Sequence, residues 1–176
     1  MIKKVLSLIL LAFLFSCSSS KTVYKKRTPS RKTVYKKRTS RKPVKHNSAV
    51  ADKIVNTAFT YKGTRYKYGG TSKRGMDCSG LIMTAFNKNG KSLPRTSYDM
   101  SNTGKTISLK NARKGDLLFF TTNPRKPRRI SHVGLVTEVK NGIVYFIHAS
   151  TKRGVTVNNM SQNYYKKNYA KAKRVL

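Results

Sequence analysis

Gly75-Met76-Asp77-Cys78-Ser79-Gly80-Leu81-Ile82 places a thiol at the point where a glycine-rich loop turns into an amphipathic helix. Apolar residues recur at Leu81, Ile82, Ala85 and Phe86, and Asn89-Gly90 supplies a stop, so the pattern predicts a helix from Cys78 to about Asn89 with Asp77 as N-cap. A cysteine in the first turn of a helix feels unpaired N–H groups and the positive end of the dipole, which favour thiolate over thiol. Most free cysteines are small buried hydrophobes. Here the neighbours Asp77, Ser79 and Gly80 are polar or minimal, and two of the three histidines, His132 and His148, lie downstream on strand-like stretches. A thiol with imidazoles later in the chain is the pattern a nucleophilic cysteine needs.

Outward from this stretch, helices come first and strands afterwards. Val50, Ile54, Val55, Ala58 and Phe59 form an apolar stripe over Ala49–Tyr61, with Ser48 as its cap, and Lys62–Arg74 is a glycine-rich loop carrying Tyr66 and Tyr68. Beyond Leu93-Pro94, Thr96 or Ser97 can cap a short helix that ends near Thr103 and Gly104. Strands are expected at 116–120, 132–139, 143–149 and 155–157, with a last one at 172–175. This order argues for an α+β fold in which the helix carrying Cys78 packs against an antiparallel sheet.

Six short pieces in register with these elements are Tyr66-Lys67-Tyr68-Gly69-Gly70, Asp77-Cys78-Ser79-Gly80-Leu81, Leu93-Pro94-Arg95-Thr96-Ser97, Gly115-Asp116-Leu117, Ser131-His132-Val133-Gly134 and Ile147-His148-Ala149. Together they resemble the NlpC/P60 family of bacterial cell-wall cysteine peptidases, over about 48–176. The resemblance implies a papain-like fold, N-terminal helices packed on a central antiparallel β-sheet, and hydrolysis of an amide bond in peptidoglycan stem peptides, either D-glutamate to diamino acid or the cross-link. By the same resemblance Cys78 is the nucleophile, His132 the general base and acid, and His148 the third member that orients it. The Cys78 backbone N–H and the Tyr66 hydroxyl would hold the oxyanion, with Tyr68 as the competing candidate. Asp77, Ser79 and Ser97 match positions that contact the substrate peptide. Arg95 is a candidate partner for a substrate carboxylate, or a plain basic surface residue. No metal or cofactor is called for.

The hairpin that joins the histidine strands tests this reading. A strict two-residue turn at Asn141-Gly142 pairs Lys140 with Ile143 and would put His132 and His148 on opposite faces of the sheet. Catalysis requires one face. The expectation is therefore a three-residue loop or a bulge, which sets His148 across from Gly134 and diagonal to His132.

Three rival readings use the same residues. A related papain-like amidase or acyltransferase would act on another bond. Cys78, His132 and His148 could instead hold a zinc ion with an open position. Outside enzymes, the protein would be a non-catalytic, basic lipoprotein that binds the wall or nucleic acid.

Residues 1–16 carry Lys3 and Lys4 ahead of an apolar run from Val5 to Phe15, too short to span a bilayer and shaped like a secretory signal. Leu14-Phe15-Ser16-Cys17 resembles a bacterial lipobox, although Phe15 is larger than the usual residue there. Lipidation of Cys17 would anchor the protein, with each buried methylene contributing about 0.8 kcal/mol. Residues 17–47 contain Lys21-Thr-Val-Tyr-Lys-Lys-Arg-Thr28 repeated at Lys32–Thr39, with no acidic residue, and read as a disordered basic tether. Anionic lipids or envelope polymers are its expected partners, and nucleic acid ranks below them. Residues 48–176 hold twenty-five of the 39 Lys and Arg residues and all five acidic ones, enough chain for one compact core. The expected location is the cell envelope, at an outer membrane and facing the periplasm, because Ser18 follows Cys17.

Overall fold

The computed structural model describes residues 48–123, 125, 126 and 128–176. The signal-like segment, Cys17 and the basic repeat lie outside the described residues. Three helices and a small hairpin precede most of the sheet: α1 (Ser48–Phe59), β1 (Thr71–Ser72), β2 (Gly75–Met76), α2 (Cys78–Asn87) and α3 (Ser97–Met100). Then come β3 (Lys105–Ile107), β4 (Leu117–Phe120), β5 (His132–Lys140), β6 (Ile143–Ser150), β7 (Gly154–Asn159), α4 (Asn163–Asn168) and β8 (Tyr169–Arg174). The six strands β3 to β8 form one antiparallel sheet in the order β3-β8-β4-β5-β6-β7. This is the expected α+β arrangement.

Both faces of the sheet are covered, which explains why β4 reads Leu-Leu-Phe-Phe with every side chain buried. Leu117, Phe119, Val133, Leu135 and Ile147 pack with Ile54, Val55 and Ala58 of α1 and with Leu81, Ile82 and Phe86 of α2. Leu118, Phe120, Val136, Val144 and Phe146 face the other way, onto Met160 and Tyr165 of the α4 region. The second layer was not expected from the sequence, because α4 buries only Tyr165.

Several elements depart from the sequence expectation. Ser48 is the first residue of α1 and not its cap, Ala51 joins the buried stripe, and Phe59 is 38% exposed at the helix end. The Lys62–Arg74 loop contains β1, which pairs with β2 just before Cys78. At the sheet edge β3 pairs with β8, its side chains mostly exposed and so without a periodic apolar signal. The exposed Lys105 on this edge discourages pairing with another chain.

The β5–β6 hairpin has both the tight turn and a bulge. Lys140 pairs with Ile143 across Asn141 (φ 51°) and Gly142 (φ 74°), the two positive φ values that a type I′ turn requires. Between Val136 and Glu138 the register shifts by one, leaving Thr137 without a partner. Leu135 then pairs with Ile147, so Gly134 comes across from His148. A side chain at Gly134 would meet the Phe146 ring, with Cδ2 only 2.5 Å from an added Cβ.

Candidate active site

Asp77 organises the start of α2. Its carboxylate accepts from Gly80 N at 2.6 Å and Gly69 N at 2.9 Å, so one side chain caps the helix and fastens the preceding loop to it. Gly80 is required by close approach, since a Cβ there would run into the Gly70 carbonyl oxygen. Arg95 closes on the same carboxylate, Nη2 to Oδ2 at 2.6 Å and Nη1 to Oδ1 at 3.0 Å, and donates to Ser79 Oγ at 2.9 Å. Burial opposes ionisation of Asp77, but Arg95 and the two N–H groups outweigh it and hold the carboxyl below its ordinary value.

Cys78 is buried at the head of this helix. Burial pushes its thiol up to about 11, while the backbone N–H of Val133 on β5, and that of Ser79, pull the other way. The sequence expectation of a thiolate near neutral pH is therefore corrected: loss of hydration outweighs the helix start. The thiol lies against the strand at Val133, one residue from His132, and among the described residues no hydrogen bond joins it to that imidazole.

His132 pairs with Phe120 across β4 and β5, and His148 sits on the same face of the sheet. His132 Nε2 lies 2.8 Å from His148 Nδ1, with the rings nearly perpendicular at 86°. His148 Nε2 in turn meets Asn158 Oδ1 at 3.0 Å and Tyr165 Oη at 3.1 Å. Burial lowers His132 to about 3, with His148 adding to the effect, and lowers His148 to about 4 against the hydrogen bond that its Nε2 donates to Asn158 Oδ1. Near neutral pH the free protein thus holds a neutral thiol and two neutral imidazoles.

A cleft of about 540 Å³ opens over Cys78 and is lined by Tyr66, Asp77, Ser79, Arg95, Ser97 and Arg129, among others. Tyr66 is half-buried there, and burial foremost, with Cys78 and Asp77, raises its phenol above the ordinary value and keeps it a donor. Tyr68 also borders the cleft but is 89% exposed. Arg95 lines the cleft with its guanidinium engaged by Asp77 and Ser79, so it is a structural partner of the helix start and not an idle surface residue. His132 and His148 line a separate cavity of about 80 Å³, with Thr122, Ser150 and Tyr165.

Asn158, Arg153 and Tyr165 are the residues the sequence reading missed. For Asn158 a signal existed. Val155 packs with the helices and Thr156 pairs with His148, so alternation along β7 puts residue 158 on the histidine face, where a buried amide needs a partner. The His132–His148 contact also fits poorly with a zinc site, because each ring directs a nitrogen at the other instead of at a shared third point.

The chain is 39% identical over 131 residues to the Escherichia coli murein DD-endopeptidase MepS/murein LD-carboxypeptidase, which covers 74% of this chain and 65% of that protein. It is 32% identical to the Bacillus subtilis gamma-D-glutamyl-L-lysine dipeptidyl-peptidase, over 75% of this chain and 43% of that one. The chain thus spans just under two thirds of the first relative's length and under half of the second's. Among solved structures, a Staphylococcus aureus NLP/P60 family protein described as similar to lipoprotein superposes with a TM-score of 0.66 at 32% identity, covering 78% of this chain and 45% of that chain. The NlpC/P60 family model matches residues 63–174, which takes in the loop of Tyr66, the helix start at Cys78 and both histidine strands, and this chain belongs to that family.

Proposed function

We propose that the protein is a peptidoglycan endopeptidase that hydrolyses an amide bond of the stem peptide with Cys78 as nucleophile. The observation that carries this reading is the 2.8 Å bond between His132 Nε2 and His148 Nδ1, made one residue from the strand position on which the buried thiol rests. With Nε2 engaged by His148, Nδ1 is the nitrogen left to His132 for exchange with the thiol. As substrate fills the cleft, His132 takes the thiol proton while sulfur adds to the amide carbon, then delivers that proton to the leaving amine. Water, deprotonated by the same imidazole, cleaves the thioester and restores the thiol. The Cys78 backbone N–H and the Tyr66 hydroxyl stabilise the oxyanion in both steps.

Two bonds are candidates. The name of the Escherichia coli relative speaks for a peptide cross-link, and that of the Bacillus subtilis relative for the bond between D-glutamate and the diamino acid. Digesting purified muropeptides with the protein and identifying the new termini by mass spectrometry decides between them. Cleavage by wild type and none by Cys78→Ala supports the reading. Binding without cleavage by both would instead support the non-catalytic wall-binding protein, and cleavage of a different bond the amidase or acyltransferase.

For location, the reading is an envelope lipoprotein anchored through Cys17, at an outer membrane and facing the periplasm, with the basic repeat of residues 17–47 lying against anionic lipids or polymers. Its support is the run Leu14-Phe15-Ser16-Cys17 and the charge of the repeat. Incorporation of labelled palmitate by the wild type but not by Cys17→Ala tests it.

A further inference from the structure

We propose that Arg153 and Asn158 are positioning residues that fix the tautomers of both histidines and so assign proton acceptance to Nδ1 of His132. The inference deepens the proposed hydrolase reading and rests on it for its catalytic meaning. Its structural content can be judged separately.

Hydrogen-bond polarity is set from the outside of this chain inward. A guanidinium only donates. Arg153 Nη2 lies 3.2 Å from Asn158 Oδ1, so the atom at that place must be the amide oxygen, since the flipped amide would set donor against donor. The other end agrees, with Asn158 Nδ2 donating to Gln162 Oε1 at 2.7 Å. The oxygen then faces His148 Nε2 at 3.0 Å and accepts from it, which places the His148 proton on Nε2. A neutral His148 has no second proton, so its Nδ1 is bare and accepts from His132 Nε2–H at 2.8 Å. The proton of His132 is now spoken for. Its Nδ1 carries a lone pair, the state a general base must have before the thiol gives up its proton.

Tyr165 alone leaves the matter open. Its hydroxyl lies 3.1 Å from the same His148 nitrogen, and a phenol can donate or accept there. With Tyr165 donating, the chain would run backwards, and His132 would present Nδ1–H to the thiol. Arg153 removes that choice through the amide it orients. Asn158 is buried, and Arg153 sits in the turn just before β7, where neither Lys152 nor Arg153 makes an ion pair among the described residues. The charged or titratable groups around the two rings are Tyr164 and Tyr165 in the cavity they share and Arg153 beyond Asn158, while the Cys78 thiol lies against the backbone of Val133. The nearby Asp77 is neutralised by Arg95.

The first test needs no substrate. In ¹⁵N-labelled full-length protein at pH 7, ring-nitrogen shifts should show a protonated Nε2 and a bare Nδ1 on both histidines. A protonated Nδ1 on either would overturn the proposal. In Arg153→Met the amide is free to flip, so both tautomers should appear and kcat should fall by roughly tenfold, a part of the 10²–10⁴ that base catalysis supplies, with KM unchanged. Arg153→Lys should restore both. In Asn158→Asp the acceptor is retained but charged, so the tautomer should persist while the acid limb of kcat/KM moves to higher pH. If Arg153→Met leaves ring shifts and kcat as in wild type, these residues do not position the relay. If wild type has no hydrolytic activity, the hydrolase reading fails, and the ring shifts still decide the tautomer assignment.

Discussion

Arg95 holds Asp77 with both guanidinium nitrogens, across eighteen residues of chain, and the clamp ties the segment before α3 to the first turn of α2. Asp77 is only 6% exposed and already receives Gly80 N and Gly69 N. Its carboxylate is committed to shaping the helix start from which the Cys78 backbone N–H projects. The acid and the arginine of this motif therefore build the cleft wall beside Cys78.

Removing that acid should be expensive. Asp77→Ala deletes an N-cap, about 1 kcal/mol in a typical helix, and strands buried donors at about 1–3 kcal/mol. Asp77→Asn keeps an oxygen for Gly80 N but loses the charge that Arg95 pairs with, so its loss should be smaller. Urea unfolding monitored by circular dichroism checks the order wild type, then Asn, then Ala. Equal midpoints for all three would mean that the cap does not secure the helix.

The thiol and imidazole lead to a pH prediction. Burial holds Cys78 up at about 11 and His132 and His148 down at about 3 and 4, so the pair stays neutral across the range between. Thiolate absorbance of the free protein should rise only at alkaline pH, and kcat/KM should be flat from about pH 5 to pH 9. Because the proton moves during attack, acylation should be slower in deuterium oxide. A thiolate signal at pH 7 and no isotope effect would indicate a preformed ion pair instead.

Much of this site could be read from the chain because the deciding features are local. The N-cap of Asp77 and the Gly80 approach belong to one turn, and alternation counted from the Asn141-Gly142 turn shows that the two histidines reach one face only if the register shifts between them. The expectation was a three-residue loop or a bulge, and the shift is a bulge at Thr137. What was not legible depends on distant segments. The partner of Arg95 is set by how the loop folds back, and the acidity of Cys78 by how completely the sheet and α1 cover α2. Neither β3 nor α4 carries enough apolar periodicity to announce itself, and each is placed by the strand or face it covers. Asp116 shows the same limit: it lies in a recognisable Gly-Asp-Leu run, yet its partner Arg174 comes from the end of β8.

Gly134 offers a test of the histidine face. An added Cβ would sit 2.5 Å from the Phe146 ring, and that ring stacks near both His148 and Tyr165. Gly134→Ala should destabilise by about 1–3 kcal/mol through overpacking and lower kcat by displacing His148. Thermal unfolding and turnover on a defined muropeptide check it. Wild-type values in both would show that Phe146 yields without moving the relay.

Acid should weaken the fold through the two histidines before Asp77 titrates. His132 and His148 have folded values of about 3 and 4 against an ordinary 6.5, so below pH 6.5 the unfolded chain binds protons that the folded protein refuses. Their contribution to stability is complete above 6.5 and declines as pH falls toward 4 and then 3. Asp77, lowered by Arg95 and the backbone donors despite its burial, contributes stability above its ordinary value of 3.8 and loses it only at lower pH. Two windows result, the histidine one at higher pH. Urea midpoints for wild type should fall steadily from pH 7 to pH 4, and the double variant His132→Gln, His148→Gln should be flatter over that interval, whatever its midpoint at pH 7. Parallel curves for the two proteins would place the acid sensitivity elsewhere and remove the neutral buried imidazole pair from the description of this site.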